Sequence, residues 1–459
     1  MAVQSNSIFG TLANQFRNSD SLFFDSQLSK ESIHSACRAL GHKFRDRIYS
    51  PAITVWMFIG QVLSADQSCR DAIARLNVWR VARGKCPASI DSACYVQARQ
   101  RLPEQLLLEL ARTSGQECAN QAHGNCLWKG RVVKTVDGLT LTMPDTLKNQ
   151  KEYPQSKSQK AGVGFPIMRV VMSFSLAVGA VREIAIGKYS GKQVGETSLL
   201  RTLLHTILPG EVVLADCYYA TYWLLATAWQ NDFDVVCKSH HKRKIDFRRG
   251  IKLGSLDQIV GYIKPKQRPY WMTAGEYAAM PPAIFVRHLR YQISERGFRT
   301  RAVVIATTML HSGDYTVEDI ADLFRQRWQV EIDIRSLKTH MKMEHLRCQS
   351  PELVRKEIYC HMLAYNLVRR VIVESALIFD KLPRQLSFKG AVQALNAFMS
   401  VMTARGPNIE QHYQCLLLSV SQNEIGDRPN RIEPRKIKRR PKSYKLLNEP
   451  RAAARKRAG

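Results

Sequence analysis

Residues 131–145, RVVKTVDGLTLTMPD, decide the fold expected for this chain, because they open a run of strands. The run continues through 166–176 (PIMRVVMSFSL) and 180–190 (AVREIAIGKYS), each rich in Val, Ile or Thr and bounded by turn residues. A helix at 196–207 (ETSLLRTLLHTI) and a fourth strand at 211–219 (EVVLADCYY) follow. Three consecutive strands, a helix and a strand predict an α/β layer that the later strand joins in parallel.

The segment before these strands has apolar residues at helical spacing. It predicts an all-helical N-terminal domain, residues 1–125, which we expect to bind DNA. One short helix there carries polar side chains able to reach phosphates or base edges, although a solvated helix face explains them as well. These side chains are Gln97, Arg99, Gln100 and Arg101.

The segments after the strands complete the predicted organisation. Residues 240–300 are rich in charge, glycine and proline with short aromatic strands, which indicates a β-rich insertion. A strand then returns, and one long helix over about 316–341 begins with the capping pattern T-V-E-D. We expect an α/β catalytic domain at 126–377, a C-terminal helical region at 378–426 and a basic tail at 427–459.

The net charge of +29, from 68 Lys and Arg against 39 Asp and Glu, indicates a polyanionic partner. A cationic membrane binder is the alternative. The longest apolar stretch, 51–65, is too short to span a bilayer, so no membrane partner is expected. The tail, which includes Arg439 and Arg440, predicts an extended arm that binds nucleic acid. Eleven cysteines scattered singly indicate reduced thiols and a cytoplasmic protein.

Two aspartates stand where predicted strands end. Asp137 follows an apolar run and precedes Gly138, and Asp216 ends the run EVVLAD. A carboxylate at the end of a buried strand is costly unless it is paired or binds a cation, so two of them on neighbouring strands indicate a metal site. Taken alone, each is more often a turn residue than a ligand.

The long predicted helix carries a polar stripe beside its apolar one. On an ideal helix, spacings of three and four align Phe324, Arg327, Glu331, Arg335 and Lys338. One interpretation is a solvated face with weak ion pairs on either side of Glu331. The other is a carboxylate that completes the metal site while the cations bind phosphates.

The spacing of four of these residues resembles a known signature. Phe324, Arg327, Glu331 and Lys338 match the pattern Tyr-x2-Arg-x3-Glu-x6-Lys of the insertion-sequence-four family of bacterial DDE transposases, with Phe in place of Tyr. Asp137 and Asp216 fall where that family has its first and second catalytic aspartates. The phenylalanine lacks the hydroxyl that would bond a phosphate.

The resemblance implies an RNase H-like catalytic domain with a β-rich insertion, between an all-helical N-terminal domain and the C-terminal helices and basic tail. Asp137, Asp216 and Glu331 would bind two Mg²⁺ ions, with Mn²⁺ as a substitute. Arg327 and Lys338, helped by Arg335, would hold phosphates.

The partners implied are DNA, as terminal inverted repeats and target, and a second copy of the chain in a homodimer. Relatives with this signature flip a base onto an aromatic residue of the insertion, and Trp271 is the candidate here, although core packing is the commoner role for tryptophan. Two alternatives remain open: an RNase H-like nuclease without strand transfer, and a non-catalytic DNA-binding protein derived from a transposase.

Overall fold

The structure, a computed structural model, describes residues 28–45, 47–122, 124–240, 242–292, 302–404, 408–426 and 446–458. Two units are distinguished. The helical unit is the described part of Met1–Cys126, Ala177–Arg182 and Asp333–Ile425, and the sheet unit is that of Leu127–Leu176, Glu183–Ile332 and Gly426–Gly459. The expected catalytic domain at 126–377 is therefore divided, because its residues from 333 onward belong to the helical unit.

The first part of the helical unit is all-helical, as the apolar spacing predicts. Hydroxyls of Ser29 and Ser50 cap two of the helices by accepting the backbone N–H of Ser32 and Ile53. No helix of the described residues is long and apolar enough to cross a membrane. The helices are α1 (Lys30–Ala39), α2 (Pro51–Leu63), α3 (Cys69–Val81), α4 (Ala93–Arg101) and α5 (Glu104–Asn120).

The expectation that α4 presents four polar side chains to solvent is wrong for one of them, Arg99. Its side chain is buried, and its guanidinium donates to Gln61 Oε1 at 3.4 Å. The hydroxyl of Tyr95 donates to the same oxygen at 2.8 Å. Arg99 is therefore part of the core of this unit, whereas Gln97, Gln100 and Arg101 are exposed.

The sheet unit is built on a nine-stranded sheet. Its strands are β1 (Val133–Thr142), β2 (Ile167–Ser175), β3 (Val181–Lys188), β4 (Val212–Ala215), β5 (Asp234–Lys238), β6 (Ile251–Gly254), β7 (Asp257–Ile263), β8 (Ala283–Gln292) and β9 (Ala302–Thr307). Their spatial order is β3-β2-β1-β4-β5-β9-β8-β7-β6. β4 pairs in parallel with β1 and with β5, whereas β1 and β2 are antiparallel. The predicted α/β layer and its parallel fourth strand are confirmed.

The expected β-rich insertion at 240–300 extends this sheet. β9 pairs antiparallel with β5 and with β8, and β8 pairs with β7. Across the β7–β8 pair, the buried Arg287 donates from Nε to Asp257 Oδ1 at 2.8 Å and from Nη2 to Oδ2 at 2.5 Å. A two-pronged pair satisfies both buried charges, so it fixes the register of these strands.

The described helices of and around the sheet unit are α6 (Leu147–Glu152), α7 (Glu196–Arg201), α8 (Tyr222–Gln230), α9 (Ala274–Ala279), α10 (Val317–Arg325) and α11 (Trp328–Arg335). The helix expected at 196–207 ends early, because the chain tightens into a 3-10 turn at Leu204–Thr206. A capping box between Thr316 and Asp319 opens α10, as its sequence predicts.

The prediction of one ideal helix over 316–341 is wrong. The N–H groups of Gln326 and Arg327 bond three residues back, to Leu323 and Phe324, so a tight turn separates α10 from α11. After α11 the chain forms a π-helical turn at Ser336–His340. Both interruptions change the 3.6-residue period, so the five polar-stripe residues do not lie on one continuous helical face.

The later helices are α12 (Pro351–Ile378), α13 (Phe388–Ala404), α14 (Ile409–Gln422) and α15 (Arg451–Ala458). In the helical unit, the fully buried Asp333 pairs with Arg369 at 2.6 Å and with Arg384 at 2.8 Å. Residues 451–458 form helix α15, so the expectation of an extended tail is wrong for this segment. Arg439 and Arg440 lie outside the described residues.

Candidate active site

Two aspartates of the sheet unit lie on adjacent parallel strands, Asp216 directly after the end of β4 and Asp137 within β1, which continues to Thr142 and so does not end at Asp137 as expected. The last paired residues of β1 and β4 in this register are Thr135 and Leu214. Asp137 and Asp216 each follow two residues later, Asp137 still paired with β2 and Asp216 just past the end of β4. Parallel pairing therefore carries both carboxylates to the same edge of the β1–β4 pair.

Local backbone donors bond both carboxylates. Asp137 Oδ1 accepts the N–H of Gly138 at 2.8 Å, and Asp216 Oδ1 accepts the N–H of Cys217 at 2.7 Å. The pKa of Asp137 is raised to about 6, mainly by burial and also by the carboxylates of Glu331 and Glu196, against the opposing effects of the Gly138 N–H and Arg327. The site is thus rich in negative charge that a cation would stabilise.

Glu331 stands in the first turn of α11, close to Arg327 in the turn before it. Arg327 Nη2 donates to Glu331 Oε1 at 2.9 Å, with both side chains partly buried. The charges of both residues act on Asp137, where Arg327 lowers the pKa and Glu331 raises it. The charge of Glu331 acts on Asp137, and Asp216 lies at the same edge of the β1–β4 pair, but no three acids of the described residues converge on one point.

A fourth carboxylate, Glu196, reaches this cluster from the start of α7. A Cβ built on Gly138 would lie 2.5 Å from Glu196 Cδ, so the glutamate side chain occupies the space beside the glycine that follows Asp137. Sequence reasoning missed this residue. A signal was present, because Glu196 precedes the buried Leu199, Leu200 and Leu203 by three, four and seven residues and so shares their helical face.

Tyr219 is the second residue that sequence reasoning missed. It lies three residues after Asp216, with 2% of its surface exposed, and its hydroxyl has no hydrogen-bond partner among the described residues. Burial raises the pKa of Tyr219, and the charges of Glu196, Asp137 and Asp216 raise it further. The hydroxyl therefore stays protonated, close to three carboxylates.

The profile of the transposase DDE domain family matches residues 128–367, which is more than half of the chain and includes all four carboxylates. The chain belongs to this family. It is a DDE transposase, and the resemblance to insertion-sequence-four transposases is confirmed by the relatives that follow. The alternatives of a nuclease without strand transfer and of a non-catalytic DNA-binding protein give way to a DNA-cleaving and strand-transferring enzyme.

The transposase is similar to other proteins of insertion sequences. It is 25% identical over 401 residues to the transposase InsG of the IS4 element of Escherichia coli strain K12, covering 85% of each chain. It is 35% identical over 72 residues to the IS421 transposase of Escherichia coli, covering 16% of this chain and 19% of that one. A piggyBac transposase synaptic complex with hairpin DNA matches 88% of this chain and 85% of its own, at 9% identity and a TM-score of 0.44.

Phe324 of the transposase is a core residue. Its side chain is 9% exposed and packs in a cluster that includes Val212, Ile305 and Leu323. This burial leaves little surface for DNA. We therefore assign Phe324 to the core and correct its expected place among the DNA contacts.

The remaining selected residues lie elsewhere in their units. Trp271, half-buried in the sheet unit, has the guanidinium of Arg201 3.8 Å from its ring centroid, and Trp223 lies edge-on to it. Arg335, at the end of α11, is exposed, and Lys338, in the π-helical turn, is half-buried.

The oxygens at the site are of the kind that divalent cations prefer, because carboxylates are hard ligands for Mg²⁺ or Mn²⁺. Among the described residues, however, no three Asp, Glu, His or Cys side chains converge closely enough to hold an ion as they stand. Asp137 and Asp216 accept bonds from backbone N–H groups, and Glu331 accepts one from Arg327. The residues fit a metal by chemistry and charge, and ion binding requires these side chains to turn.

Proposed function

We propose that Asp137, Asp216 and Glu331 are the catalytic acids of this transposase and that they hold two Mg²⁺ ions, for which Mn²⁺ can substitute. The observation that supports this proposal is that Asp137 and Asp216 lie just past the last paired residues of two parallel strands, with the charge of Glu331 acting on Asp137. An RNase H-like core accounts for the strand order β3-β2-β1-β4-β5 around these residues.

The ions would supply activation of the attacking oxygen and stabilisation of the leaving oxygen in an in-line phosphoryl transfer. The residues of the chain bind and orient the DNA end for that reaction. When DNA binds, the guanidinium of Arg327 gives up its hydrogen bond to Glu331 and donates to a phosphate oxygen of the cleaved strand instead. This frees the carboxylate of Glu331. Lys338 and Arg335 bind further phosphates of the same DNA.

Within the helical unit, we propose that a basic cleft binds the DNA of the element ends. The cleft has a volume of about 1200 Å³, and Gln97 of α4 contributes to its lining. Its basic side chains are His42, Lys43, Arg45, Arg47 and Arg101. A concave surface that concentrates guanidinium groups fits the phosphate backbone, and the exposed glutamine adds a group able to bond a base edge.

We propose that Trp271 is the residue that stacks on a flipped base. It lines a cavity of about 180 Å³ together with Arg201, Tyr219 and Trp223. Because Arg201 already covers the ring at 3.8 Å, an incoming base would have to displace the guanidinium or stack beside it. The neighbouring aromatic rings favour a planar ligand at this position.

We further propose that the transposase works as a homodimer on paired terminal inverted repeats, in the cytoplasm of a bacterial cell. Arg439 and Arg440, in the basic tail, add unspecific contacts to DNA. The test is an incubation of the purified protein with a DNA fragment that carries the sequences flanking its gene and with a target plasmid. We expect Mg²⁺-dependent joining of the fragment end to the plasmid and none with EDTA. Cleavage without joining would contradict the proposal of strand transfer.

A further inference from the structure

We propose that Glu196 is a fourth carboxylate ligand of the metal site and that Tyr219 positions it. This inference rests on the proposed function, because it concerns the same divalent cation. Two side chains of the acid cluster, Glu196 and Tyr219, support the inference, because neither has a hydrogen-bond partner among the described residues.

The packing of α7 fixes where Glu196 can go. Leu199, Leu200 and Leu203 are buried in the cluster that also contains Val136 of β1 and Val171 of β2. They hold the helix and the turn after it on the sheet, so the residue one turn before Leu199 and Leu200 projects toward Gly138 in the middle of β1. There the side chain of Glu196 fills the place of a Cβ on Gly138, with Oε1 2.8 Å from that position.

Glu196 is half-buried and, within the described part of the chain, makes no hydrogen bond and no ion pair. The charge of Glu196 acts on Asp137, so negative charge is concentrated at this place. Arg327, whose charge also acts on Asp137, is already bonded to Glu331. A bound cation would offset the concentrated negative charge, because it attracts Glu196 and Asp137 at once.

Tyr219 is an independent observation that points to the same ligand. Its buried hydroxyl lacks an acceptor in the described structure although the charges of three carboxylates act on it, and buried polar groups of folded proteins are nearly always bonded. When Glu196 turns toward the cation, the phenol can donate to its second oxygen. Tyr219 is thus a positioning residue, and it orients the carboxylate as the partners behind metal ligands commonly do.

The test measures Mn²⁺ binding to the full chain without DNA, by electron paramagnetic resonance of the free ion. Three variants are compared with the wild type: Glu196→Gln, Tyr219→Phe and Asp216→Asn. Glu318→Gln on α10, an exposed glutamate outside the site, is the matched control. We expect Kd for Mn²⁺ to rise about tenfold or more in Glu196→Gln and Asp216→Asn and to stay unchanged in Glu318→Gln.

The double variant separates positioning from a structural effect. If Tyr219 acts through Glu196, Tyr219→Phe weakens Mn²⁺ binding in the wild type and adds nothing in the Glu196→Gln background. Additive losses would overturn the positioning role. If Glu196→Gln fails to fold, Glu196→Asp is used, for which we expect weakened but measurable binding.

The outcomes distinguish the inference from the proposed function. Unchanged binding in Glu196→Gln (or in Glu196→Asp, where that substitute is needed), together with loss in Asp216→Asn, overturns the fourth ligand and leaves the three-acid site standing. Unchanged binding in both overturns the metal site itself, and with it the inference. Loss in both, with Glu318→Gln unaffected, supports the fourth ligand.

Discussion

Arg327 Nη2 lies 2.9 Å from Glu331 Oε1, so the third acid of the site is held by an arginine. Both residues belong to the sequence signature, and the structure shows that they bond each other across the turn that separates α10 from α11. A partly exposed i,i+4 pair of this kind adds little stability.

We therefore expect Arg327→Gln to reduce activity without unfolding the protein. Loss of a charged phosphate donor should lower the rate of DNA cleavage by about a hundredfold, while the free energy of unfolding changes by about 0.5 kcal/mol or less. Arg325→Gln, two residues earlier and more exposed, is the control and should keep its activity. A large loss of stability with unchanged activity per folded molecule would show that the pair is structural.

Phe324 should be important for stability. Because its ring is buried among aliphatic side chains, Phe324→Ala is expected to lower the free energy of unfolding by about 3–5 kcal/mol. Phe165→Ala, at a ring that is 57% exposed, should change it by about 0.5 kcal/mol or less. Chemical denaturation of both variants checks this, and equal stabilities would place the ring of Phe324 outside the core.

We expect the free energy of unfolding to fall in mild acid because of His361. Burial lowers the pKa of this histidine of α12 to about 3, so it is neutral in the folded chain, whereas an unfolded histidine takes up a proton near pH 6.5. Its contribution is present above pH 6.5 and is lost as the pH falls toward 3, at about 1.4 kcal/mol per pH unit. His361→Gln should flatten the fall in unfolding free energy between pH 6.5 and 5, and the exposed control His345→Gln should not. An identical slope in His361→Gln would refute this.

The basic cleft of the helical unit should contribute ordinary phosphate contacts. Arg47→Ala and Arg101→Ala are each expected to weaken DNA binding and to reduce the slope of log K against log salt by about 0.9. Arg70→Ala, an exposed arginine of α3 that does not line the cleft, is the control. Slopes equal to that of the wild type would remove the cleft from the DNA interface.

Local pattern was enough to predict the first part of the sheet. The strands that carry or precede Asp137 and Asp216 begin as apolar runs, and their parallel pairing follows from the helix between them, although β1 continues past Asp137 to Thr142. The same kind of signal predicted the caps at Ser50 and Thr316.

Tertiary packing decides the features that pattern did not predict. The residue spacing predicts an unbroken helix through Gln326 and Arg327, but the backbone forms a tight turn there. Glu196 resembles an ordinary helix start, and only its approach to Gly138, 58 residues earlier, shows that it joins the site. The burial of Arg99 beside Gln61 likewise depends on a contact between two helices.

The central claim is that Asp137, Asp216 and Glu331 bind the metal that cuts DNA, and the most direct measurement compares cleavage and binding in the same variants. Asp137→Asn, Asp216→Asn and Glu331→Gln are assayed on DNA carrying the flanking sequences of the gene, with Asp145→Asn, an exposed aspartate just after β1, as control. We expect each of the three to lose Mg²⁺-dependent cleavage by a factor of at least about 10³ while binding DNA with nearly unchanged affinity. Full cleavage by any one of them would contradict the account.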